Sequence, residues 1–259
     1  MQEGDMLERD EERTEYFVIE WISSAPHPAL GYTGVRGLER AVRDGELGLA
    51  EFRRRKVNGG WQLEQDVAFP FEDVRLMAVE CLSPKSPRLV WRELTPRGGR
   101  TIFAEWGVKD EELKVLEWGQ DGSLRESLDT SRGAVMPQYL LELVRAGNVS
   151  SGQFEVFDPI VGGLDLWTLE ITFPAPPDEA QALVLRQAEF RRSDGSLAGR
   201  YRFAGGDLVE FQWQEGCLRL RKINAQAFQG RQIAWGLGEQ EDPEPLSGKR
   251  IVKHRELGD

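Results

Sequence analysis

The sequence contains few of the residues that most often do chemistry in proteins. Its 259 residues include only two histidines, His27 and His254, and two cysteines, Cys81 and Cys217. Two cysteines so far apart do not form a disulfide framework, and no cluster of residues has the spacing of a metal site. His27 lies between two prolines and His254 lies near the C-terminus, so neither has a neighbour that would orient it as a base or ligand. The sequence therefore predicts no metal and no cofactor.

Long apolar runs are also missing. No stretch approaches the roughly 18 apolar residues of a membrane-spanning helix, which argues against a membrane span. Residues 1–13 are dense in glutamate, aspartate and arginine and lack the apolar centre of a signal peptide. The sequence therefore predicts a cytoplasmic protein. A mature chain that had lost a signal peptide would have the same sequence and would be periplasmic.

The sequence has fewer basic than acidic residues, 33 lysines and arginines against 44 aspartates and glutamates, and its formal net charge is −11. Nucleic-acid-binding surfaces need clustered positive charge, so the sequence predicts no nucleic-acid partner. The basic run at residues 53–56 is the local exception. We interpret it as the solvated end of a strand in preference to a phosphate site.

Apolar strand-like segments separated by glycine-rich turns make up most of the chain. Residues 49–57 and 61–68, for example, flank Asn58-Gly59-Gly60, which tolerates the positive φ of a tight hairpin turn. Short connections favour antiparallel neighbours. The sequence therefore predicts one mainly β domain over residues 14–235, a long antiparallel meander or half-barrel sheet. A flexible acidic lead-in (1–13) precedes it, and a charged, flexible tail (236–259) follows it.

An internal repeat relates residues 88–125 to residues 182–219. The matched positions are 89–93 with 183–187, Phe103-Ala104 with Phe203-Ala204, Leu113 with Leu208, and Trp118 with Trp213. An internal sequence repeat usually corresponds to a repeated structural unit, so this repeat predicts a duplicated four-strand unit. The alternative is convergence, because two β-meanders need the same turn glycines and the same apolar alternation.

One amphipathic helix is predicted over residues 136–147. Met136, Leu140, Leu143 and Val144 follow the helical period and form one apolar stripe, and Pro137 suits the first turn. Gly147 follows as the stop signal. We expect this helix to cover the sheet.

Three carboxylates near tryptophans are the remaining candidates for acid–base chemistry. Glu93, Glu105 and Glu117 each lie within two residues of a tryptophan. Two carboxylates across a sheet could support glycoside hydrolysis. The alternative is that they pair with basic residues of neighbouring strands. The second repeat unit has Gln187 and Gln212 at such positions, which favours the pairing and argues against an enzyme.

The strand and helix order of residues 45–225 resembles the half-barrel family of bacterial lipoprotein carriers (LolA/LolB-like). The resemblance implies a curved sheet that wraps inserted helices and holds acyl chains. It rests on no diagnostic motif, so no functional residue carries over, and the chain has neither a lipobox cysteine nor the several helices of that family.

Two functions follow, and both are non-enzymatic. In the first, the concave sheet binds a lipid or another apolar or amphipathic small molecule, because concave and mostly apolar sites are the usual form of small-molecule pockets. The candidate ligand-binding residues are Trp91, Trp106, Trp118, Trp167, Trp213, Leu140 and Leu143. In the alternative, sheet edges or aromatic patches bind a protein partner, and the chain is an interaction or scaffold domain.

Overall fold

The structure is a computed structural model that describes residues 12–22, 45–58, 60–70, 73–83, 87–107, 112–130, 133–174, 185–213 and 218–237. These residues contain fourteen β-strands and two α-helices. The strands are β1 Arg13–Trp21, β2 Glu46–Val57, β3 Gly60–Phe69, β4 Val74–Leu82, β5 Arg88–Thr95, β6 Gly98–Gly107, β7 Glu112–Trp118, β8 Leu124–Thr130, β9 Gly152–Asp158, β10 Gly163–Thr172, β11 Leu185–Arg191, β12 Leu197–Ala204, β13 Asp207–Trp213 and β14 Leu218–Ile223. The helices are α1 Pro137–Ala146 and α2 Ala225–Ala234.

All fourteen strands belong to one antiparallel sheet. Its order is β8-β7-β6-β5-β4-β3-β2-β1-β14-β13-β12-β11-β10-β9. Consecutive strands pair along each half, and β1 joins the halves by pairing with β14, with Tyr16 opposite Ile223. β8 and β9 are the two edges of this order and do not pair with each other, so the sheet is not closed. The predicted mainly β antiparallel meander is confirmed.

Helix α1 follows β8 in the chain and is enclosed by the protein. Gly147 ends it in the left-handed conformation, with a φ of 77° that disfavours other residues. Residues 140–144 are all buried. Five consecutive helical residues span more than one full turn, so protein covers every side of the helix there. Helix α1 therefore packs against the inside of the curved sheet.

Two apolar clusters form the core on the concave side, which we call the inner face. The first joins strands β1–β4 and β9–β14 to Leu140, Leu141 and Val144 of α1. The second joins strands β4–β7 to Met136 and Phe157. Strand β9 contributes Val156, on its own inner face, to the first cluster. The adjacent Phe157 points to the opposite face of β9 and packs against the inner face of β4–β7, so both faces of β9 are buried.

The sequence pattern does not predict the second helix, α2. This helix lacks a broad apolar stripe, and Phe228 is its one buried residue. Phe228 packs on the outer side of β1, with its ring centroid 4.7 Å from that of Tyr16. The Asn224 side chain accepts a hydrogen bond from the backbone N–H of Ala227 at 2.8 Å, so a local N-cap stabilises the helix start.

Both stretches of the sequence repeat form four-strand antiparallel meanders, β5–β8 and β11–β14. Their registers differ by two residues. Phe103 lies opposite Val90 in the first meander, whereas Phe203 lies opposite Arg186, the sequence counterpart of Arg92. The duplication stays a prediction.

His27, His254 and Cys217 lie outside the described residues, as do most of the predicted lead-in and tail. Neither helix of the described ranges has the length and the apolar composition of a membrane-spanning helix.

Candidate functional site

Four of the five candidate tryptophans pack into the core. Trp167 belongs to the first cluster and Trp213 packs against it. Trp91 belongs to the second cluster and Trp106 packs against that one. Trp106 also contacts Phe157 edge to face, with the ring centroids 6.0 Å apart.

Trp118 lies on the convex side of the sheet, which we call the outer wall. It is opposite Thr101 on β6, while the next residue of β6, Ile102, is fully buried on the inner face. Side chains alternate between the two faces of a strand. Trp118 therefore does not join the other four tryptophans.

The interior beneath helix α1 is largely filled. Leu140 and Leu143 are both buried, and Leu140 belongs to the first cluster. A cavity of about 70 Å³ remains beside the helix, lined by both charged and apolar side chains. Small-molecule pockets usually have about 300–1,000 Å³. As the described residues are arranged, this space holds a few water molecules at most.

A network of ion pairs beside this cavity fastens α1 to β1 and β14. Arg145 of α1 donates to both carboxylate oxygens of Glu15, at 2.6 and 2.9 Å, and Lys222 donates to the same carboxylate at 2.9 Å. Burial raises the pKa of Glu15, but hydrogen bonds and charge from Arg145 and then Lys222 outweigh it and hold the pKa below its ordinary value. Glu142 of α1 accepts hydrogen bonds from Arg13 and Arg54.

The N-terminus of α1 is capped by a residue of another element. Met136, at the N-cap position, makes no side-chain cap. Instead the fully buried carboxylate of Glu80, on β4, accepts the backbone N–H groups of Gln138 at 2.9 Å and Tyr139 at 2.8 Å. Burial raises the pKa of Glu80 to about 8, although both N–H groups favour the charged form. Sequence reasoning missed this role, and its only signal was an acidic residue on the buried face of an apolar strand.

The sheet is not closed between its two edge strands, β8 and β9, and we call this unclosed part of the sheet the seam; its two strands are covered differently. On β9, residue 135 covers the backbone: the N–H of Val135 donates to the Glu155 carbonyl at 2.9 Å, and the N–H of Phe157 donates to the Val135 carbonyl at 3.1 Å. On β8, residues 124–128 are all exposed. Leu124 and Leu128 are 57% and 60% exposed, and none of the described residues pairs with the free side of β8, so in that part of the chain it is an open edge with apolar side chains.

Arg100 connects β6 and β7 with the turn after β9, at one end of the seam. Its Nε donates to Glu117 at 2.6 Å, and its Nη1 donates to the carbonyls of Pro159 and Ile160 at 3.4 and 3.2 Å. Strands β6 and β7 are thereby tied to the turn between β9 and β10. An open cleft of about 320 Å³ lies here, lined by Arg100, Glu117, Arg125 and residues of the β7–β8 turn.

The three candidate carboxylates have basic neighbours. Glu117 binds Arg100, Glu93 lies opposite Arg100, and Glu105 lies opposite Lys114. These positions suit the pairing of charges across strands. No group of three or more histidine, cysteine or acidic side chains with metal-site geometry occurs in the described residues.

Comparison with known proteins identifies the fold alone. No family model and no curated protein matches the sequence. The structure is similar to the crystal structure of a β-barrel-like protein from Brucella abortus, a domain of unknown function called DUF1849. The TM-score is 0.54 and the sequence identity 11%, over 83% of this chain and 97% of that one. This likeness supports a β-barrel-like fold and does not single out the lipoprotein carriers.

Proposed function

We propose that the chain is a non-enzymatic interaction domain that binds an extended segment of a protein partner at strand β8. The observation that carries the proposal is the contrast between a filled interior and an open edge. Strand addition to an edge satisfies unpaired backbone groups, and the flanking side chains supply specificity. An exposed edge with apolar side chains is a template for such pairing.

The outer wall beside β8 would extend the contact. Four half-buried apolar residues lie opposite one another in turn on strands β4 to β7: Val79, Val90, Phe103 and Leu116. Leu116 lies opposite Glu126, between the exposed Leu124 and Leu128. An apolar row therefore leads across the outer wall to the edge. Contiguous apolar surface that is at least partly exposed is typical of interaction sites.

Selection of displayed peptides tests the proposal. Random extended peptides would be selected on the wild-type protein and then rebound to the Leu124→Lys/Leu128→Lys variant, because lysine on an edge strand opposes pairing. We expect the selected peptides to bind the wild type and to lose at least tenfold in affinity on the variant. The matched control is Leu166→Lys, which changes an exposed leucine of β10. Peptides that bind all three proteins equally, or no enrichment at all, would overturn the proposal.

The second candidate is a carrier of an amphipathic ligand that takes the place of α1. Its specific support is a pair of buried indole N–H groups, on Trp106 and Trp167, that have no hydrogen-bond acceptor among the described residues. A carboxylate or carbonyl of a ligand would supply one. A ten-residue helix occupies on the order of 1,000 Å³, so its displacement would open a ligand-sized space.

A fluorescent fatty-acid probe tests the carrier function. We expect binding near 1 μM, equivalent to about −8 kcal/mol, with a change in tryptophan emission. Trp106→Phe and Trp167→Phe should each weaken binding, whereas Trp118→Phe, on the outer wall, should not. A flat titration of the wild type up to about 100 μM would eliminate this candidate.

A further inference from the structure

We infer that the strand added at β8 comes from a second copy of this chain, paired antiparallel about a two-fold axis at Ser127. This inference rests on the proposed function, because it names the partner of the same edge. A two-fold contact between identical edges must be self-complementary. The sequence of β8, LRESLDT, has that property in one register.

Charge determines this register. Arg125 and Asp129 stand two residues to either side of Ser127, on the same face of β8. With the axis at Ser127, Arg125 lies opposite the partner's Asp129, and Asp129 lies opposite the partner's Arg125. Opposite charges directly across two strands are stabilising. In the described part of the chain, neither side chain forms an ion pair within its own copy.

A shift of the axis by one residue would remove this match. With the axis at Glu126, the leucines at 124 and 128 would lie opposite each other, but Glu126 would face the partner's Glu126. Like charges directly opposite are destabilising. Each Glu126 also binds Lys114 of its own chain at 2.8 Å, which places its carboxylate on the outer wall. The axis at Ser127 avoids this repulsion.

Apolar contact supports the same register. With the axis at Ser127, Leu128 lies diagonal to the partner's Leu124 and the partner's Leu128. Such diagonal neighbours are about 7–8 Å apart, within reach of long side chains. The two most exposed apolar residues of β8 would thus be covered, and the apolar rows of the two outer walls would become continuous across the axis.

Charge reversal tests the pairing directly. Sedimentation of the full chain would be measured from about 5 μM to about 500 μM, the range in which a small interface associates. We expect the wild type to dimerise, and Arg125→Asp and Asp129→Arg each to weaken dimerisation at least tenfold. The double variant should restore it. A mixture of the two single variants should form a heterodimer, because both pairs are then opposite in sign.

A disulfide trap reports the register independently. Ser127→Cys, in a Cys81→Ser/Cys217→Ser background, should form an intermolecular disulfide on mild oxidation. Directly opposite residues have Cα atoms about 4.5–5.5 Å apart, which a disulfide can span. Glu126→Cys in the same background is the matched control and should cross-link poorly. Equal cross-linking of both, or efficient cross-linking of Glu126→Cys alone, would overturn the register.

The outcomes separate the two proposals. A wild-type chain that stays monomeric up to about 500 μM, with no Ser127→Cys cross-link, overturns the second copy as partner. If selected peptides still bind β8 in that case, the interaction function stands with a different partner. If charge reversal leaves the affinity of a wild-type dimer unchanged, the dimer forms elsewhere and the inference is wrong.

Discussion

Glu80 and Tyr139 are 59 residues apart in sequence, yet the Glu80 carboxylate accepts the backbone N–H of Tyr139 at 2.8 Å. A strand side chain therefore completes the first turn of an enclosed helix. The first backbone N–H groups of a helix have no partner within the helix, and leaving them buried and unpaired would be costly. The burial that places Glu80 at the start of the helix also raises the pKa of its carboxyl group to about 8 and so favours the neutral form.

This pKa predicts a specific dependence of stability on pH. Glu80 has an ordinary value of 4.5 and a folded value of about 8, so between them the folded chain holds a proton that the unfolded chain releases. The contribution of Glu80 to the free energy of unfolding is complete below about pH 4.5 and is lost as the pH rises through 8. Relative to Glu80→Gln, which stays neutral, the wild type should lose up to about 1.4 kcal/mol per pH unit in this window. Denaturant unfolding of both proteins from pH 5 to pH 9 measures this, and a constant difference would contradict it.

Truncation of the enclosed helix should be strongly destabilising. Leu140→Ala and Leu143→Ala each remove buried volume and should cost about 2–5 kcal/mol. Ile233→Ala, at an 81% exposed position of α2, is the control and should change stability by less than about 0.5 kcal/mol. Thermal and denaturant unfolding measure the three values. Wild-type stability in both leucine variants would mean that α1 does not pack inside the sheet.

The Glu15–Arg145 pair should show strong coupling. Both side chains are nearly buried, so Glu15→Ala would leave the Arg145 guanidinium without its main partner, at a cost of about 3–5 kcal/mol. The double variant Glu15→Ala/Arg145→Met removes both charges and should cost much less than the sum of the single changes. A double-mutant cycle by urea unfolding measures the coupling. Additive effects would show that the pair contributes little to holding α1.

Arg100 should determine the local stability of the seam. Arg100→Ala removes the hydrogen bonds to the carbonyls of Pro159 and Ile160, so the turn at residues 159–162 should open more often. Hydrogen exchange of the backbone N–H of Gly162, which donates to the Asp158 carbonyl at 2.8 Å, reports that opening. Arg97→Ala, in the exposed β5–β6 turn, is the control and should leave the exchange unchanged.

The sequence by itself determined the strands and the first helix. Alternating apolar residues and turn glycines act over a few neighbouring residues, so the segment 61–68, for example, identified β3 to within one residue at each end. Helix α1 likewise has its stripe, its Pro137 and its Gly147 within one short segment. Short turns join the consecutive strands from β2 to β8 and from β11 to β14, and they favour the antiparallel pairing found there. The pairing of β1 with β14 does not follow from a turn.

Only the tertiary structure decided which residues meet across the sheet. Trp118 and Trp106 look alike in sequence, but register places one on the outer wall and the other in the core. Glu80 caps α1 from another strand, and Val135 pairs with the edge of β9 while leaving β8 open. Both arrangements depend on contacts between segments that are distant in sequence. A periodic pattern reports which side of a strand is buried. It does not report what buries it, because burial depends on packing between elements that local sequence does not encode.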